Sequence, residues 1–363
     1  MDEGNNILMR KFKPSDIDGI IKLVNIVFNR NFTKEWWKWK YELNPNGFFG
    51  EEGDIWVAEA DNKIVGYYAI MPETIKFYSK VITVAQSVDT AVHPDYRRRG
   101  IFTSLANKVY ADAKNRYDFI YGFPSEMAYK GFIKLGWKDF KIESFNKVLN
   151  YDNVLSMKFK NKMVKWFFGL GIKILIKIMQ TYKRIYKKDK IRHVCEIKEI
   201  NMFPIEINNF YNKISKDYEF ILERTYKYLN WRFSKIIGDY QIFIARSIEN
   251  KEIIGYIVLH KRENILNIVD LVTLQGEDNT MIDLIKIAIK IGNEGGVDLI
   301  RCVFPRRNEQ SDLLLKLGFF SPDEILKFLK IYSIRYILYN LTNKEIIPDI
   351  KNWYYTLADT DSV

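Results

Sequence analysis

Ser87-Val88-Asp89-Thr90-Ala91-Val92-His93-Pro94-Asp95-Tyr96-Arg97-Arg98-Arg99-Gly100-Ile101-Phe102-Thr103-Ser104-Leu105 is the stretch around which the chain is organised. It reads as a strand, a basic turn with one glycine, and the start of a helix. The first backbone N–H groups of a helix have no partner inside it, and the helix dipole is positive there, so such a turn suits a phosphate or pyrophosphate. Three consecutive arginines add donors for charge-assisted hydrogen bonds to phosphate oxygens. Gly100 removes the Cβ that would keep a ligand at a distance. The bland alternative is an ordinary strand–turn–helix with a solvated basic corner.

On either side of the turn the residues alternate between strand and helix signals. Ile7 to Phe12 reads as a first strand, and a helix follows Lys13-Pro14-Ser15-Asp16 with Ser15 as its N-cap. A second helix spans about Thr33 to Leu43, and Asn44-Pro45-Asn46-Gly47 is a turn. Ile55 to Ala60 and Ile64 to Ile70 form a hairpin around Asp61-Asn62-Lys63. Val81 to Val92 is a long strand, Ile101 to Lys114 a helix, Phe119 to Phe123 a buried strand and Ser125 to Leu135 a short helix that stops at Gly136. Lys141 to Leu149 is expected to close the sheet.

Val92-His93-Pro94-Asp95-Tyr96-Arg97-Arg98-Arg99-Gly100-Ile101 resembles the acyl-CoA signature of the GNAT (Gcn5-related N-acetyltransferase) superfamily, Arg/Gln-x-x-Gly-x-Gly/Ala after a strand ending in Val-x-Pro. Arg97 and Gly100 match it, while Phe102 departs from its last small position. The element order over residues 7–150 is also that of the superfamily. The resemblance implies acetyl-CoA as donor and a primary amine as acceptor. It places the cofactor against Ala91, Val92, Arg97, Arg98, Arg99, Gly100, Ile101, Phe102 and Thr103, with Ser125 and Phe132 along its length. A backbone N–H near Val92 would polarise the thioester oxygen. Many members carry a tyrosine four residues before the Gly-Phe that ends the last helix, and it protonates the leaving thiolate. Phe132 stands at that position, so the chain departs from the pattern. Tyr129, one turn earlier, is the substitute acid or a packing residue. Positions that often hold a base, Gln86 and Val88, are neutral; Asp89 and Glu126 are the nearest acids.

A second copy follows the first. Trp231-Arg232 echoes Trp39-Lys40, Ile253-Ile254-Gly255-Tyr256 echoes Ile64-Val65-Gly66-Tyr67, Phe304-Pro305 echoes Phe123-Pro124, and Lys316-Leu317-Gly318-Phe319 echoes Lys134-Leu135-Gly136-Trp137. Where the basic turn should recur the chain reads Gln275-Gly276-Glu277-Asp278-Asn279-Thr280, with two acids that repel a pyrophosphate. The expected fold is therefore α+β: two GNAT-like domains in tandem, each a mixed, mostly antiparallel sheet flanked by helices. Residues 1–150 form the catalytic domain, 151–195 a basic helical linker, 196–340 a degenerate copy without the cofactor site, and 341–363 a tail.

The formal net charge is +11, and Lys158 to Arg192 holds twelve Lys or Arg against one acid, Asp189, which equals that excess. The rest is near balance, so a general nucleic-acid surface is not expected. Lys165, Lys173 and Lys177 lie near one face of an apolar stretch too short and too charged to span a bilayer. It reads either as a helix lying on an anionic membrane or, as preferred, as a helix bridging the two copies. Two cysteines without a spacing pattern and three histidines argue against a disulfide scaffold or a metal site, and a polar, acidic start argues for a cytoplasmic protein.

The tail, Trp353 to Val363, is aromatic and then acidic. In tandem acetyltransferases of the enhanced-intracellular-survival type the chain end supplies a carboxylate to the catalytic domain. Asp359, Asp361 or the terminal carboxyl is the corresponding candidate here. The leading expectation is an N-acetyltransferase acting on a small amine such as an amino sugar or amino-acid derivative. The alternatives are a Fem-type aminoacyl transferase, which also has two such domains, and a non-catalytic acetyl-CoA-binding protein.

Overall fold

A computed structural model describes residues 7–47, 54–158, 195–305, 309–321, 335–342 and 353–360. The chain divides into two compact units, and neither is continuous in sequence. The first holds residues up to Lys141, Glu219–Ile237 and Arg335–Asp349; the second holds Ile142–Tyr218, Gly238–Ile334 and Ile350–Val363.

In the first unit β1 (Leu8–Lys11) leads through a single 3-10 turn into α1 (Ile17–Phe28). Ser15 is not the cap. It lies inside the 3-10 turn, and Asp16 accepts the Lys13 N–H at 2.8 Å while also binding Arg10. α1 buries Ile20, Leu23 and Val24 and ends on Asn29 in the left-handed conformation. α2 (Lys34–Trp37) is capped by Thr33 and widens into a π turn, Lys38–Glu42. Then come β2 (Ile55–Ala60), β3 (Lys63–Phe77), β4 (Lys80–Val92), α3 (Ile101–Ala113), β5 (Phe119–Gly122), α4 (Glu126–Lys134) and β6 (Lys138–Lys141).

The strand from Lys141 to Leu149 does not form as one piece. It breaks after Lys141, and its second half, β7 (Ser144–Val148), belongs to the second unit. The place beside β5 is taken by β14 (Arg335–Asn340), antiparallel to both β5 and β6. The first sheet runs β1-β2-β3-β4-β5-β14-β6, with β9 (Phe220–Leu222) on the far end of β3.

The second sheet is built from β8 (Cys195–Ile200), β10 (Tyr240–Ser247), β11 (Ile253–Arg262), β12 (Ile265–Thr273) and β13 (Leu299–Val303), in the order β7-β13-β12-β11-β10-β8. Read from β8, the path matches the first sheet from β1 to β14 strand for strand, and β6 has no counterpart in it. In each, the strand beside the parallel pair (β4 with β5, β12 with β13) comes from the other half of the sequence. Expected boundaries at 150, 195 and 340 therefore differ from the units, because strand pairing, not chain order, decides membership. Residues 219–237, read as part of the second copy, belong to the first unit. β15 (Trp353–Tyr354) and the 3-10 turn Leu357–Asp359 belong to the second. The basic segment with Lys165, Lys173 and Lys177 lies outside the described residues, and none of the described helices is long and apolar enough to cross a membrane.

α3 is seated on the first sheet by Ile101, Leu105 and Val109, all buried and one turn apart, against Tyr68, Ile70 and Ala85. Each such side chain removed from water contributes roughly 1.5–3 kcal/mol. The helix approaches most closely at Gly66: a Cβ there would lie 2.7 Å from Ile101 Cγ2 and 2.9 Å from Ala58 Cβ. Neither neighbour can swing away, since both sit in the packed interior. Gly66→Ala should cost about 1–3 kcal/mol by overpacking. Denaturant melts read the effect, and a variant as stable as wild type overturns this packing account.

Candidate functional site

The basic turn is held in shape by its own backbone. Pro94–Tyr96 makes a 3-10 turn, Arg98 has φ +64° and Gly100 φ +77°. Two left-handed residues within three fold the chain sharply onto the helix start. Arg97 Nε donates to Val92 O at 3.3 Å, and Arg99 stacks over Tyr96 at 5.0 Å while reaching Asp95 O. All three guanidinium groups remain exposed, as does Gly100. Gly100 supplies no capping side chain, and the first intrahelical bond is Ser104 N–H to Gly100 O. The N–H groups of Ile101, Phe102 and Thr103 are thus left to the turn, as an anion site requires.

The strand before the turn runs on past its neighbour. β4 and β5 pair in parallel only from Ala85↔Ile120 to Ser87↔Gly122. Directly after Ser87 the pairing of β4 with β3 slips: Tyr67 faces Ala91 but Ala69 faces Val88, so Asp89 and Thr90 together stand opposite Tyr68. This is a β-bulge, and Asp89 takes φ +48° in it. A non-glycine residue rarely adopts that conformation without support from its surroundings. Here the support is a buried cluster. Asp89 binds the Lys40 ammonium at 2.7 Å, with the two side chains 9% and 3% exposed, and accepts the Tyr41 hydroxyl at 2.7 Å. Tyr41 and Tyr67 hydroxyls lie 2.5 Å apart. Burial, with Asp89 beside it, pushes the Tyr41 phenol well above its ordinary range. Lys40 and Tyr41 both come from the π turn, whose extra width places them over the bulge.

On the opposite face of the sheet lies a chain of hydroxyls. Trp137 Nε1 donates to the Tyr110 hydroxyl at 2.7 Å, Tyr110 and Tyr68 hydroxyls are 3.2 Å apart, and Tyr68 is 3.0 Å from Ser87 Oγ. Burial pushes both phenols up, so both keep their protons at neutral pH.

The other expected residues separate into groups. Phe132 is buried between Phe102 and Trp137, edge-on to both at 5.1 and 4.9 Å, and carries no proton to give. Phe102, too large for its place in the pattern, is accommodated by Gly131 on α4, where a Cβ would meet the Phe102 ring at 2.8 Å. Ser125 caps α4, accepting from Ala128 N–H, and Glu126 is exposed on the first turn of that helix. Tyr129 donates its hydroxyl to Asp139 at 2.6 Å beneath the Arg335 guanidinium, and the bond to Asp139 pushes its phenol up. Asp359 belongs to the second unit, buried, where it accepts the Thr356 N–H at 2.8 Å; Asp361 lies outside the described residues.

The second unit repeats parts of this pattern with other chemistry. Tyr256 faces Val272 as Tyr67 faces Ala91, and Asp270, like Asp89, stands two residues before that partner. Asp270 accepts from Tyr256 and from Thr356 of the tail, at 2.7 and 2.9 Å. Gly276 has φ +82°, but Glu277 and Asp278 follow it at the helix start. Among the described residues no group of three or more His, Cys, Asp or Glu side chains could hold a metal ion.

Lys40, Tyr41, Tyr67 and the hydroxyl chain were not singled out as site residues from the sequence. Their local signals were the echoes alone: Trp39-Lys40 with Trp231-Arg232, Gly66-Tyr67 with Gly255-Tyr256, and Gly136-Trp137 with Gly318-Phe319.

A strand that runs on past its neighbour, a bulge, and an arginine-rich turn entering a helix thus follow one another in the first unit. Residues 9–138 match the family model of an acetyltransferase (GNAT) domain. A curated N-alpha-acetyltransferase of Saccharolobus solfataricus is 30% identical over 123 residues, 32% of this chain and 68% of that protein. Among solved structures, a probable N-acyltransferase from Enterococcus faecalis aligns over 93% of this chain and 72% of its own, with TM-score 0.62 and 14% identity. A GCN5-related N-acetyltransferase from Kribbella flavida aligns over 92% and 70%, with TM-score 0.57 and 11% identity. At such identities these two speak for the fold alone. The chain belongs to the GNAT superfamily, and it is an acyltransferase.

Proposed function

We propose that the chain transfers an acetyl group from acetyl-CoA to a primary amine by direct attack of the neutral amine on the thioester. The observation that carries this reading is the exposed left-handed turn at Arg97–Gly100 feeding an uncapped helix start, directly after the strand that leaves its neighbour. The turn and the N–H groups of Ile101 to Thr103 would hold the pyrophosphate, and the pantetheine would run along Ala91 and Val92. A main-chain N–H beyond the bulge would meet the thioester oxygen as negative charge develops there. Asp89 is assigned to the bulge, because its carboxylate already serves Lys40 and Tyr41. Glu126 is exposed, four residues beyond the end of β5, and is assigned to take the proton of the amine through water.

The second unit reads as a GNAT-like copy that has lost the cofactor site. What supports this is the shared strand path, the bulged fourth strand and the acids in place of arginines at its turn. The acceptor class is open between a small amine, such as an amino sugar or amino-acid derivative, and the α-amine of a peptide, which the Saccharolobus relative's name suggests.

Calorimetric titration with coenzyme A should give one site per chain. Thiol release from acetyl-CoA, measured across amino sugars, amino acids and short peptides with free α-amines, should then single out one class. Two sites per chain would remove the asymmetry between the copies. Binding without thiol release on any amine would leave a cofactor-binding protein in place of an N-acetyltransferase.

A further inference from the structure

In the second unit β12 outruns its neighbour as β4 does in the first. Its parallel pairing with β13 ends at Ile268↔Cys302, and it continues to Thr273. Hydrogen bonds on the β11 side fix which way its main chain then faces. Leu274 N–H donates to Ile254 O, so the pair Tyr256↔Val272, two positions back along the antiparallel ladder, also bonds across to β11. Leu271 and Thr273 alternate with them and turn their N–H and C=O groups to the other side, that of β13. The first unit has the same register. His93 N–H donates to Val65 O, Tyr67 faces Ala91, and Val92 turns its carbonyl away from β3 to receive Arg97. Thr273 thus stands where Val92 stands, and Leu271 where Thr90 stands.

On β4 this edge is where the acetyl-CoA reading lays the pantetheine. On β12 it already has an occupant from the same unit. Tyr354 donates its hydroxyl to Leu271 O, and its ring packs edge-on against Phe304 at 5.8 Å. Phe304 directly follows β13, so Tyr354 touches β12 on one side and the exit of β13 on the other, where their pairing has ended. Tyr218 packs on the same ring at 4.8 Å. Two residues on, Thr356 donates its hydroxyl to Asp270 at 2.9 Å, as Tyr41 does to Asp89 in the first unit. Trp353, Tyr354, Tyr355, Leu357 and Ala358 are all buried. The edge therefore offers main-chain carbonyls to a donor and aromatic walls to whatever carries it. A narrow, uncharged chain with N–H or O–H donors suits it, and pantetheine, with its amides, is such a chain.

We propose that the second unit keeps a binding edge for an uncharged, pantetheine-like chain, and that Tyr354 and Thr356 fill it as a built-in ligand; this rests on the acetyl-CoA and copied-fold readings above. The second copy is then closed twice. Glu277 and Asp278 at the start of its helix repel a pyrophosphate, and Tyr354 independently excludes the arm. The two closures are separable, because a ligand without a pyrophosphate meets only the second.

Acetyl-pantetheine is such a ligand, and its binding to the full-length chain is counted by equilibrium dialysis. Wild type should bind one per chain. Tyr354→Ala should bind two, because the substitution empties the edge of β12. A synthetic peptide of residues 353–363 should compete for the second site and return the count to one. One site in Tyr354→Ala overturns the proposal, and so does a second site that ignores the peptide, or two sites in wild type. Tyr354→Phe, which loses only the hydroxyl, serves where the alanine variant does not fold. The Thr356 and Ala358 N–H groups are both bonded within the segment. In Tyr354→Phe, acetyl-pantetheine should displace the segment and speed their hydrogen exchange by about tenfold or more. Unaltered exchange overturns the proposal. A wild-type chain that binds no acetyl-pantetheine is a different result, and it overturns the reading on which the proposal rests.

Discussion

Replacing Arg97, Arg98 and Arg99 together by glutamate should abolish measurable coenzyme A binding. Charge-assisted hydrogen bonds contribute about 1.5–3 kcal/mol each, and reversal replaces attraction by repulsion at the mouth of the same turn. Losing even two such bonds weakens binding by at least about a hundredfold, and the repulsion takes it further. The three side chains are exposed, so the fold should survive, with an unchanged circular dichroism spectrum and melting temperature. Acetyl-pantetheine has no pyrophosphate, and its binding should be the same in wild type and variant. Wild-type affinity for coenzyme A should also fall as salt is raised, because exposed charges are screened. Retention of coenzyme A binding within tenfold in the triple variant would remove the turn from the cofactor site.

The largest loss of stability is expected from Trp231→Ala. Trp39 and Trp231 stack with ring centroids 5.1 Å apart and planes at 15°, and each indole N–H donates to the other's main-chain oxygen at 2.8 Å. Both are buried, and both lie in the first unit. The substitution removes a large aromatic side chain from a packed site, which costs about 3–5 kcal/mol, and leaves the Trp39 ring without its stacking partner. A drop in melting temperature of roughly 10 °C follows for a unit of this size. Trp231→Phe keeps most of the stack and loses one hydrogen bond, about 1 kcal/mol. There is a functional consequence as well. Trp39 adjoins Lys40 and Tyr41 in the π turn, so loosening it should also release the support of the bulge at Asp89. The variant should lose thiol-release activity at temperatures where it is still folded. Loss of stability under 1 kcal/mol would show that the pair is ornamental to the first unit.

The same pair shows how far the sequence could be followed. Trp231-Arg232 was legible as an echo of Trp39-Lys40, but an echo says that two segments are alike, not that they meet. The repeat placed residues 219–237 in the second copy; the register of β9 on β3 and the stacked indoles place them in the first unit. The closing strand failed for a related reason. Lys141 to Leu149 carries enough strand-forming residues for a single run, and nothing in it announces that Ser144–Val148 will pair with β13. Strand propensity reports a backbone's fitness for a sheet and is silent on which sheet.

The candidate site divides in the same way. Spacing points to Tyr129 and chain position to Asp359, and the structure gives each hydroxyl or carboxylate a local partner, Asp139 and the Thr356 N–H. Asp89 is legible as an acid near the turn; its neighbours Lys40 and Tyr41 come from forty-eight or more positions earlier.

What the residues alone determined is the basic turn between strand and helix. Its ingredients (a strand, three arginines, a glycine able to take positive φ, a helix start) are consecutive, and the physics that joins them acts over a few bonds. What only the tertiary structure decided is the exchange of β7 and β14 between sheets, the charge cluster beneath the bulge and the meeting of Trp137, Tyr110, Tyr68 and Ser87 in one hydrogen-bonded row. Each of these depends on groups far apart in sequence, whose pairing is settled by burial: a polar group taken from water must find a partner wherever folding has put one.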